Sequence, residues 1–137
     1  MGQFKQAIEE YSNAILIDST IRGGFNNRGL VYINIEEYKK AKSDFSSLIK
    51  LNPNDFESYY NRSLIFYYLK DNESALNDLN MAIEINKGYS QAYYNRGMLN
   101  IEMGNIIEGC KDLESAKKLG LIEASNSINN YCSENRH

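Results

Sequence analysis

The chain has 137 residues, a formal net charge of −3 and a hydrophobic share of 42%, which is ordinary for one globular domain. This mildly acidic balance argues against a nucleic-acid partner, which usually requires a basic face. The sequence contains no run of eighteen apolar residues, so we do not expect membrane insertion. Two cysteines cannot form a disulfide framework and His137 is the single histidine, so we expect no His-based metal site, no cofactor and no catalytic triad.

The predicted elements are, in chain order, one lone helix, three helix pairs and a last helix. Residues 1–21 are predicted to be the second helix of a truncated repeat. Three repeats follow, over residues 22–55, 56–89 and 90–121. Residues 122–137 form a capping helix and tail whose outer face is Ser and Asn, as suits a terminal cap. The helices are predicted over residues 3–17, 22–35, 38–51, 56–69, 72–85, 90–103, 105–118 and 122–133.

In-phase copies of one 34-residue pattern are the basis of this division. The clearest column consists of three tripeptides: Asn27-Arg28-Gly29, Asn61-Arg62-Ser63 and Asn95-Arg96-Gly97. A fixed period of this length predicts a helical array, in which no unit buries its apolar face alone. Gly104 and Gly120 each follow a predicted helix, where a left-handed cap residue is expected.

These columns resemble the tetratricopeptide repeat, a helix-turn-helix unit with the pattern aromatic-x2-Leu-Gly-x2-Tyr, Ala-x3-Phe, Pro. The first repeat matches best, through Phe25, Gly29, Tyr32, Ala41, Phe45 and Pro53. Arg replaces the usual Leu in all three repeats, and Asn100 and Gly109 weaken the third. The resemblance covers residues 2–121. It implies an all-α fold, a right-handed superhelical array of antiparallel helix pairs with a C-terminal capping helix.

The resemblance also implies a non-enzymatic scaffold that binds a peptide or another protein in a concave groove lined by the first helix of each repeat. The residues expected to line that groove are Asn26, Asn27, Leu30, Tyr60, Asn61, Leu64, Tyr67, Tyr68, Tyr94, Asn95, Met98 and Ile101.

The amide column Asn27, Asn61 and Asn95 is the most specific part of this groove. An amide offers a donor and an acceptor, so such a column suits the backbone of an extended peptide. The tyrosines suit an interface because they offer large rigid area with a polar tip. The alternative is that some tyrosines fill gaps between neighbouring units.

One subclass of the family clamps a C-terminal carboxylate with Lys and Arg side chains. Those cations are absent from the aligned positions, which hold Asn26 and Leu30 in the first repeat and Gln91 and Asn95 in the third. Glu57 and Glu102 are also expected in the groove. We therefore predict no carboxylate clamp, and expect that an acidic ligand is disfavoured.

The start of the chain is in phase with the repeat, since Met1-Gly2 aligns with Met103-Gly104. We expect a fragment of a longer array; the alternative is a true start with a lone capping helix. The uncovered helix leaves two other functions open, namely self-assembly as a homodimer through residues 3–17, and a targeting arm of a larger enzyme. No signal peptide is visible, so the cytoplasm is the expected compartment unless a segment precedes this one.

The recurrent arginines are expected to be structural. An Arg whose stem packs between helices needs a partner for its head, and an Asp recurs in the same phase on each second helix. The predicted pairs are Arg28–Asp44, Arg62–Asp78 and Arg96–Asp112. The alternative is that the arginines bind an anion in the groove.

Cys110 and Cys132 are predicted to be neighbours. They lie ten residues before and twelve residues after Gly120, where two antiparallel helices turn, and equal rise along both helices brings them to one level. We expect two reduced, mostly buried thiols rather than a disulfide, because the expected compartment is the cytoplasm.

Overall fold

The structure is a computed structural model that describes residues 2–133, and within that range it consists of eight α-helices joined by short turns. The helices are α1 (Gly2–Ile17), α2 (Arg22–Asn34), α3 (Tyr38–Leu51), α4 (Phe56–Tyr68), α5 (Asn72–Ile85), α6 (Ser90–Glu102), α7 (Ile106–Lys118) and α8 (Glu123–Tyr131). The prediction of an all-α chain is confirmed. Each helix begins and ends within two residues of its predicted bounds, the largest difference being Tyr131 against residue 133 in α8. Residues 1 and 134–137 of the predicted terminal segments lie outside the described range.

The chain forms two compact units, Met1–Ala75 and Leu76–His137, whose boundary lies inside α5. In the first unit, α1 packs on α2, α2 on α3, and α3 on α4. Its core consists of buried residues from α3 and α4, with partly buried aromatic and aliphatic side chains from α2 around them. The buried members are Ala41, Phe45, Leu48 and Ile65.

Gly29 in α2 marks the closest approach of α2 and α3. A Cβ atom placed on Gly29 would lie 2.7 Å from Cε2 of Phe45, which is shorter than a van der Waals contact. The fully buried Ala41 on α3 belongs to the same core. Small residues therefore stand where α2 and α3 approach each other, which lets the two helices pack closely.

The second unit packs α6 on α7 and α7 on α8. Its core is formed by Leu113, Ile128 and Cys132, with Tyr94, Met98, Ile101 and Cys110 partly buried against it. Two glycines face each other between α6 and α7. A Cβ atom on Gly109 would lie 2.6 Å from the carbonyl oxygen of Gly97, so the two helices of the third repeat meet backbone to backbone at this point.

The turns within the repeats use left-handed backbone at one recurring position. Glu36, Lys70 and Gly104, spaced at the repeat period, have φ values of 63°, 64° and 91°. Gly120, after α7, has a φ of 98°. The predicted left-handed caps at Gly104 and Gly120 are thus confirmed. The left-handed residues Glu36 and Lys70 show that the fold imposes this conformation even on side chains that disfavour it.

The two cysteines are neighbours, as predicted, but the expectation of reduced thiols is wrong. Cys110 in α7 and Cys132 after α8 form a disulfide, with Cα atoms 5.9 Å apart. That Cα separation lies within the usual range for a disulfide, because α7 and α8 are antiparallel and the two residues lie at one level. Spacing along the two helices could not fix the Cα separation on which the bond depends, so the prediction rested on the expected compartment. No described helix is long and apolar enough to cross a membrane.

Candidate interaction surfaces and the arginine network

The residues predicted to line a groove lie on the first helices of the repeats, α2, α4 and α6, and none of them is fully buried. On α2, Asn27 and Leu30 are exposed and Asn26 is partly buried. The α4 residues are partly buried except for Tyr68, which is 49% exposed. All four α6 residues are partly buried. The side chains of α2 and α4 belong to the first unit, and those of α6 to the second. Their joint role in one groove stays a prediction.

An aromatic cluster stands at the turn end of α4. The rings of Tyr38 and Tyr68 are stacked with their centroids 5.1 Å apart and an interplanar angle of 15°. Tyr67 meets Tyr68 edge to face at 5.8 Å, and the Nζ atom of Lys70 lies 5.8 Å from the centre of the Tyr67 ring. Burial raises the pKa of Tyr38, with a further rise from the charge of nearby Glu36. The raised pKa keeps the Tyr38 phenol neutral at neutral pH, and the neighbouring Tyr68 ring is half exposed to solvent.

Sequence reasoning missed Tyr38 as part of this cluster. The equivalent residues of the next two repeats are Asn72 and Ile106, so no aromatic column exists at this position. Tyr67 and Tyr68 were found because they lie on a first helix. Tyr38 begins a second helix, and only the packing of α3 on α4 brings its ring onto Tyr68.

On α6, three of the four predicted residues pack against the core of the second unit. Tyr94 shares a hydrogen bond of 3.1 Å between its hydroxyl and that of Ser127. Met98 and Ile101 pack against the core formed by α7, α8 and Cys132. For Tyr94 the contact agrees with the gap-filling alternative. These side chains are part of the core of the second unit, so substituting them would also disturb its fold.

The predicted arginine–aspartate pairs are confirmed in the first and third repeats. Arg28 donates to both carboxylate oxygens of Asp44, at 2.9 Å from Nε and 2.6 Å from Nη2. Arg96 donates to Asp112 in the same way, at 2.8 Å from each nitrogen. Asp44 and Asp112 are buried, so each forked bond neutralises a carboxylate that is removed from water. The central pair, Arg62 with Asp78, stays a prediction, since these residues fall in different units.

Each arginine also reaches back to the helix that precedes its repeat. The Nη1 atom of Arg28 donates to the hydroxyl of Ser12 at 3.0 Å, and that of Arg62 donates to the hydroxyl of Ser46 at 3.2 Å. The Nη1 atom of Arg96 donates to Oδ1 of Asn80 at 2.9 Å. Sequence reasoning missed these acceptors, although Ser12, Ser46 and Asn80 recur at the repeat period. The arginine column therefore joins consecutive repeats as well as the two helices within one.

Aromatic rings flank the guanidinium groups. Arg28 lies 5.9 Å from the ring centre of Phe25 and 5.8 Å from that of Tyr32. Arg62 lies 5.7 Å from the ring centre of Tyr59 and 5.6 Å from that of Phe66. Stacking on π faces suits the planar, weakly hydrated guanidinium group. In these two repeats the arginine is accordingly fixed by hydrogen bonds at its edge and by rings on its faces.

The third repeat differs in one of these rings. Arg96 lies 5.6 Å from the ring centre of Tyr93, but Asn100 stands at the position of Tyr32 and Phe66. A cleft of about 350 Å³ opens there, entirely within the second unit. It is lined by Leu76, Asn80, Arg96, Asn100, Glu108 and Asp112.

Among the described residues, no group of three or more His, Cys, Asp or Glu side chains could hold a metal ion.

The sequence profile of the tetratricopeptide repeat matches residues 24–55, 56–89 and 90–119, which is most of the chain. The chain belongs to the tetratricopeptide repeat family. A search of the curated proteins found no match.

Solved tetratricopeptide structures resemble this one closely. A crystal structure of MamA superposes with a TM-score of 0.88 at 23% identity, covering 98% of this chain and 80% of that one. A second MamA structure gives a TM-score of 0.83 at 25% identity, covering 93% and 70%. The first tetratricopeptide domain of Spaghetti (RPAP3), bound to the HSP90 peptide SRMEEVD, gives 0.79 at 24% identity, covering 88% and 97%. Likeness at this level of identity establishes a shared fold.

Within the tetratricopeptide family pattern, the most consistent departure of this chain is the Arg that replaces Leu in every repeat. The structure gives that departure a physical basis, because Asp44 and Asp112 on the second helices and the rings beside the arginines accommodate the charge. A position that is usually apolar in the family therefore holds, in this chain, an arginine that links helices through hydrogen bonds.

Proposed function

We propose that this tetratricopeptide chain is a protein-interaction scaffold that binds an extended peptide or a partner protein along α2, α4 and α6. The observation that supports the proposal most directly is the amide column. Asn27 is exposed, Asn61 and Asn95 are partly buried, and the three recur at the repeat period on the first helices. Membership of a family of interaction modules supports it too, as does the likeness to a domain whose structure holds a bound peptide.

The chemistry of the partner is proposed to differ from that of the HSP90 peptide SRMEEVD, which ends in acidic residues. The aligned clamp positions of this chain hold Asn26, Leu30, Gln91 and Asn95 and therefore supply no cations. Glu57 and Glu102, which are also expected in the groove, are exposed. A neutral or basic peptide can form hydrogen bonds between its backbone amides and the asparagine side chains, and it brings no acidic group close to the glutamates.

Affinity capture with the intact protein followed by mass spectrometry would identify the partner, and titration of purified partner would test the surface. We expect Asn61→Ala to weaken binding by about 1–3 kcal/mol, because a backbone group of the peptide loses its hydrogen bond in a desolvated place. The matched control is Asn77→Ala on α5, which removes the same amide from an exposed position of a second helix. Unchanged affinity in the double variant Asn27→Ala, Asn61→Ala would contradict the proposal.

A second candidate function is self-association through α1, and the exposure of that helix favours it. Within α1 no described residue is fully buried, and Leu16 and Ile17 are 84% and 87% exposed. Phe4, Ile8 and Tyr11 are partly buried. Exposed apolar patches of this kind mark contact sites in soluble proteins.

Sedimentation equilibrium over a wide concentration range would test the second candidate. We expect a dimer that the double variant Leu16→Lys, Ile17→Lys converts to a monomer. Ile107→Lys is the matched control, because Ile107 is an exposed isoleucine of α7 in the other unit. A wild-type chain that stays monomeric at the highest concentration would exclude this candidate.

A further inference from the structure

The cleft beside Arg96 lies where one ring of a repeated arrangement has been replaced. In the first two repeats, Tyr32 and Phe66 lie against the guanidinium groups of Arg28 and Arg62. In the third repeat, Asn100 takes that position, and the cleft of about 350 Å³ is lined by its side chain and by Arg96. This volume lies at the low end of the range found for small ligand sites, roughly 300–1,000 Å³.

The residues that line the cleft also differ from their equivalents in the other repeats, in a way that suits the binding of an aromatic ring. Leu76 lines the cleft and stands at the repeat position of Lys42, whose Nζ atom lies 5.7 Å from the ring centre of Phe66. An ammonium group that covers a built-in ring is thus replaced by an apolar side chain. Leu76 and the guanidinium plane of Arg96 together provide the kind of surface on which an aromatic ring packs.

The opposite wall supplies hydrogen-bond acceptors. Glu108 lines the cleft and stands at the repeat position of Lys40, whose Nζ atom lies 5.8 Å from the ring centre of Tyr32. Its carboxylate is exposed and accepts one bond of 3.1 Å from Lys111. A carboxylate can accept several hydrogen bonds, so the side chain can also serve an O–H or N–H group of a ligand. Asn80 receives a bond from Arg96, and Oδ1 of Asn100 accepts a bond of 3.4 Å from Asn105.

We propose that this cleft binds an aromatic side chain with a hydrogen-bond donor, a tyrosine or tryptophan, from a partner protein. The ring packs between Leu76 and the guanidinium group of Arg96, as Phe66 packs beside Arg62 in the second repeat. The phenol or indole donor bonds to Glu108. The site is separate from the amide column and rests on the proposed scaffold function in one respect, that the ring belongs to another protein.

Titration of the ¹⁵N-labelled full chain followed by NMR would test the site, with short capped peptides as probes. Ac-Gly-Tyr-Gly-NH₂ is expected to cause saturable shifts at the side-chain resonances of Asn80, Arg96 and Asn100, whereas Ac-Gly-Leu-Gly-NH₂ is expected to cause none. Equal shifts with both peptides, or no shifts with either, would overturn the proposal. Binding of free p-cresol without binding of the tyrosine peptide would overturn the assignment to a protein side chain.

Two variants provide the specificity of the test. Asn100→Tyr restores the residue that the first repeat has at Tyr32 and should fill the cleft, so the shifts should be lost. Leu76→Lys introduces the residue that the first repeat has at Lys42. It should also abolish the shifts caused by the tyrosine peptide, and it does so without requiring a new ring to pack. Asn77→Tyr, at an exposed position of α5, should leave them unchanged. Shifts that persist in both cleft variants would refute the site.

Failure of the scaffold function and failure of the cleft would be distinguishable. Asn61→Ala tests the amide column and should leave the tyrosine peptide's affinity for the cleft unchanged. A chain that binds the tyrosine peptide but loses no partner affinity with Asn27→Ala and Asn61→Ala would retain the cleft proposal and contradict the groove.

Discussion

The guanidinium group of Arg28 donates a hydrogen bond of 3.0 Å to the hydroxyl of Ser12, a residue of the helix that precedes its own repeat. The same guanidinium group holds both carboxylate oxygens of Asp44 in the helix that follows. One side chain thus connects three successive helices, α1, α2 and α3. The corresponding bond from Arg96 to Asn80 shows that the arrangement recurs in the second unit.

The first prediction concerns the buried end of this connection. Asp44→Ala is expected to lower the free energy of unfolding by about 1–3 kcal/mol, because Arg28 loses its partner while its side chain stays 21% exposed. Urea denaturation would measure the loss. Glu37→Ala is the matched control, since Glu37 pairs with Lys40 at 3.9 Å and both side chains are more than half exposed. Exposed pairs contribute about 0–1 kcal/mol, so a loss as large as that of Asp44→Ala would contradict the interpretation.

The second prediction concerns the disulfide, which joins residues separated by 22 positions. Reduction is expected to lower the free energy of unfolding by about 3 kcal/mol, because the open chain gains conformational entropy when it unfolds. The measurement is denaturation with and without a reductant, together with a count of free thiols in the native protein. The variant Cys110→Ala, Cys132→Ala should show no response to reductant. Two free thiols in native protein that has not been exposed to reductant would show that the bond does not form.

The third prediction concerns Gly109, which stands where the other two repeats have Ala41 and Ala75. Gly109→Ala restores the family residue, yet it is expected to destabilise the chain by about 1–3 kcal/mol. The added Cβ would lie 2.6 Å from the carbonyl oxygen of Gly97 and 3.1 Å from the backbone nitrogen of Ile101, neither of which can move alone.

Gly23→Ala on α2 is the control for that substitution. Its Cβ would meet no atom closer than 3.9 Å, so the higher helix propensity of alanine should stabilise the chain by up to about 1 kcal/mol. Thermal denaturation of the two variants should therefore shift in opposite directions. A gain of stability in Gly109→Ala would mean that α6 and α7 separate easily.

The fourth prediction concerns pH. Burial alone would raise the pKa of Asp55, but hydrogen bonds from Arg22 and Ser58 outweigh burial and lower it below 3.8. Asp55 also caps α4 by accepting from the backbone of Ser58. Because the pKa is lower in the folded state, the stabilisation is fully present above about pH 3.8, the unfolded value, and is lost as the pH falls through the folded value.

Asp55→Asn keeps a capping oxygen and removes the charge, so it isolates this effect. The stability difference between the wild-type chain and this variant should be constant near neutral pH and should shrink below about pH 4. Urea titrations at several pH values would measure it. A difference that does not change with pH would show that the ion pair with Arg22 does not contribute.

The 34-residue repeat allowed the helices, their order and two of the arginine pairs to be predicted from sequence. Helical periodicity places Arg28 and Asp44 on facing sides of neighbouring helices, and the recurrence at Arg96 and Asp112 removes the ambiguity of a single pair. The level of Cys110 with Cys132 followed from equal rise along antiparallel helices. Repetition makes the helix and arginine predictions strong because the same residue pattern occurs in more than one repeat.

Tertiary structure decided the features that are not repeated or that depend on side-chain direction. The stacking of Tyr38 on Tyr68 depends on how α3 packs on α4, and no column in the sequence predicts it. The bond of Cys110 to Cys132 depends on a Cα separation that spacing alone does not fix. In the sequence, Asn100 indicates only a weakened match to the repeat pattern. The packing around Arg96 shows that a cleft lined by charged side chains and by Leu76 lies beside this smaller side chain. Sequence periodicity determines which faces meet, whereas the sizes and directions of individual side chains determine what remains between them.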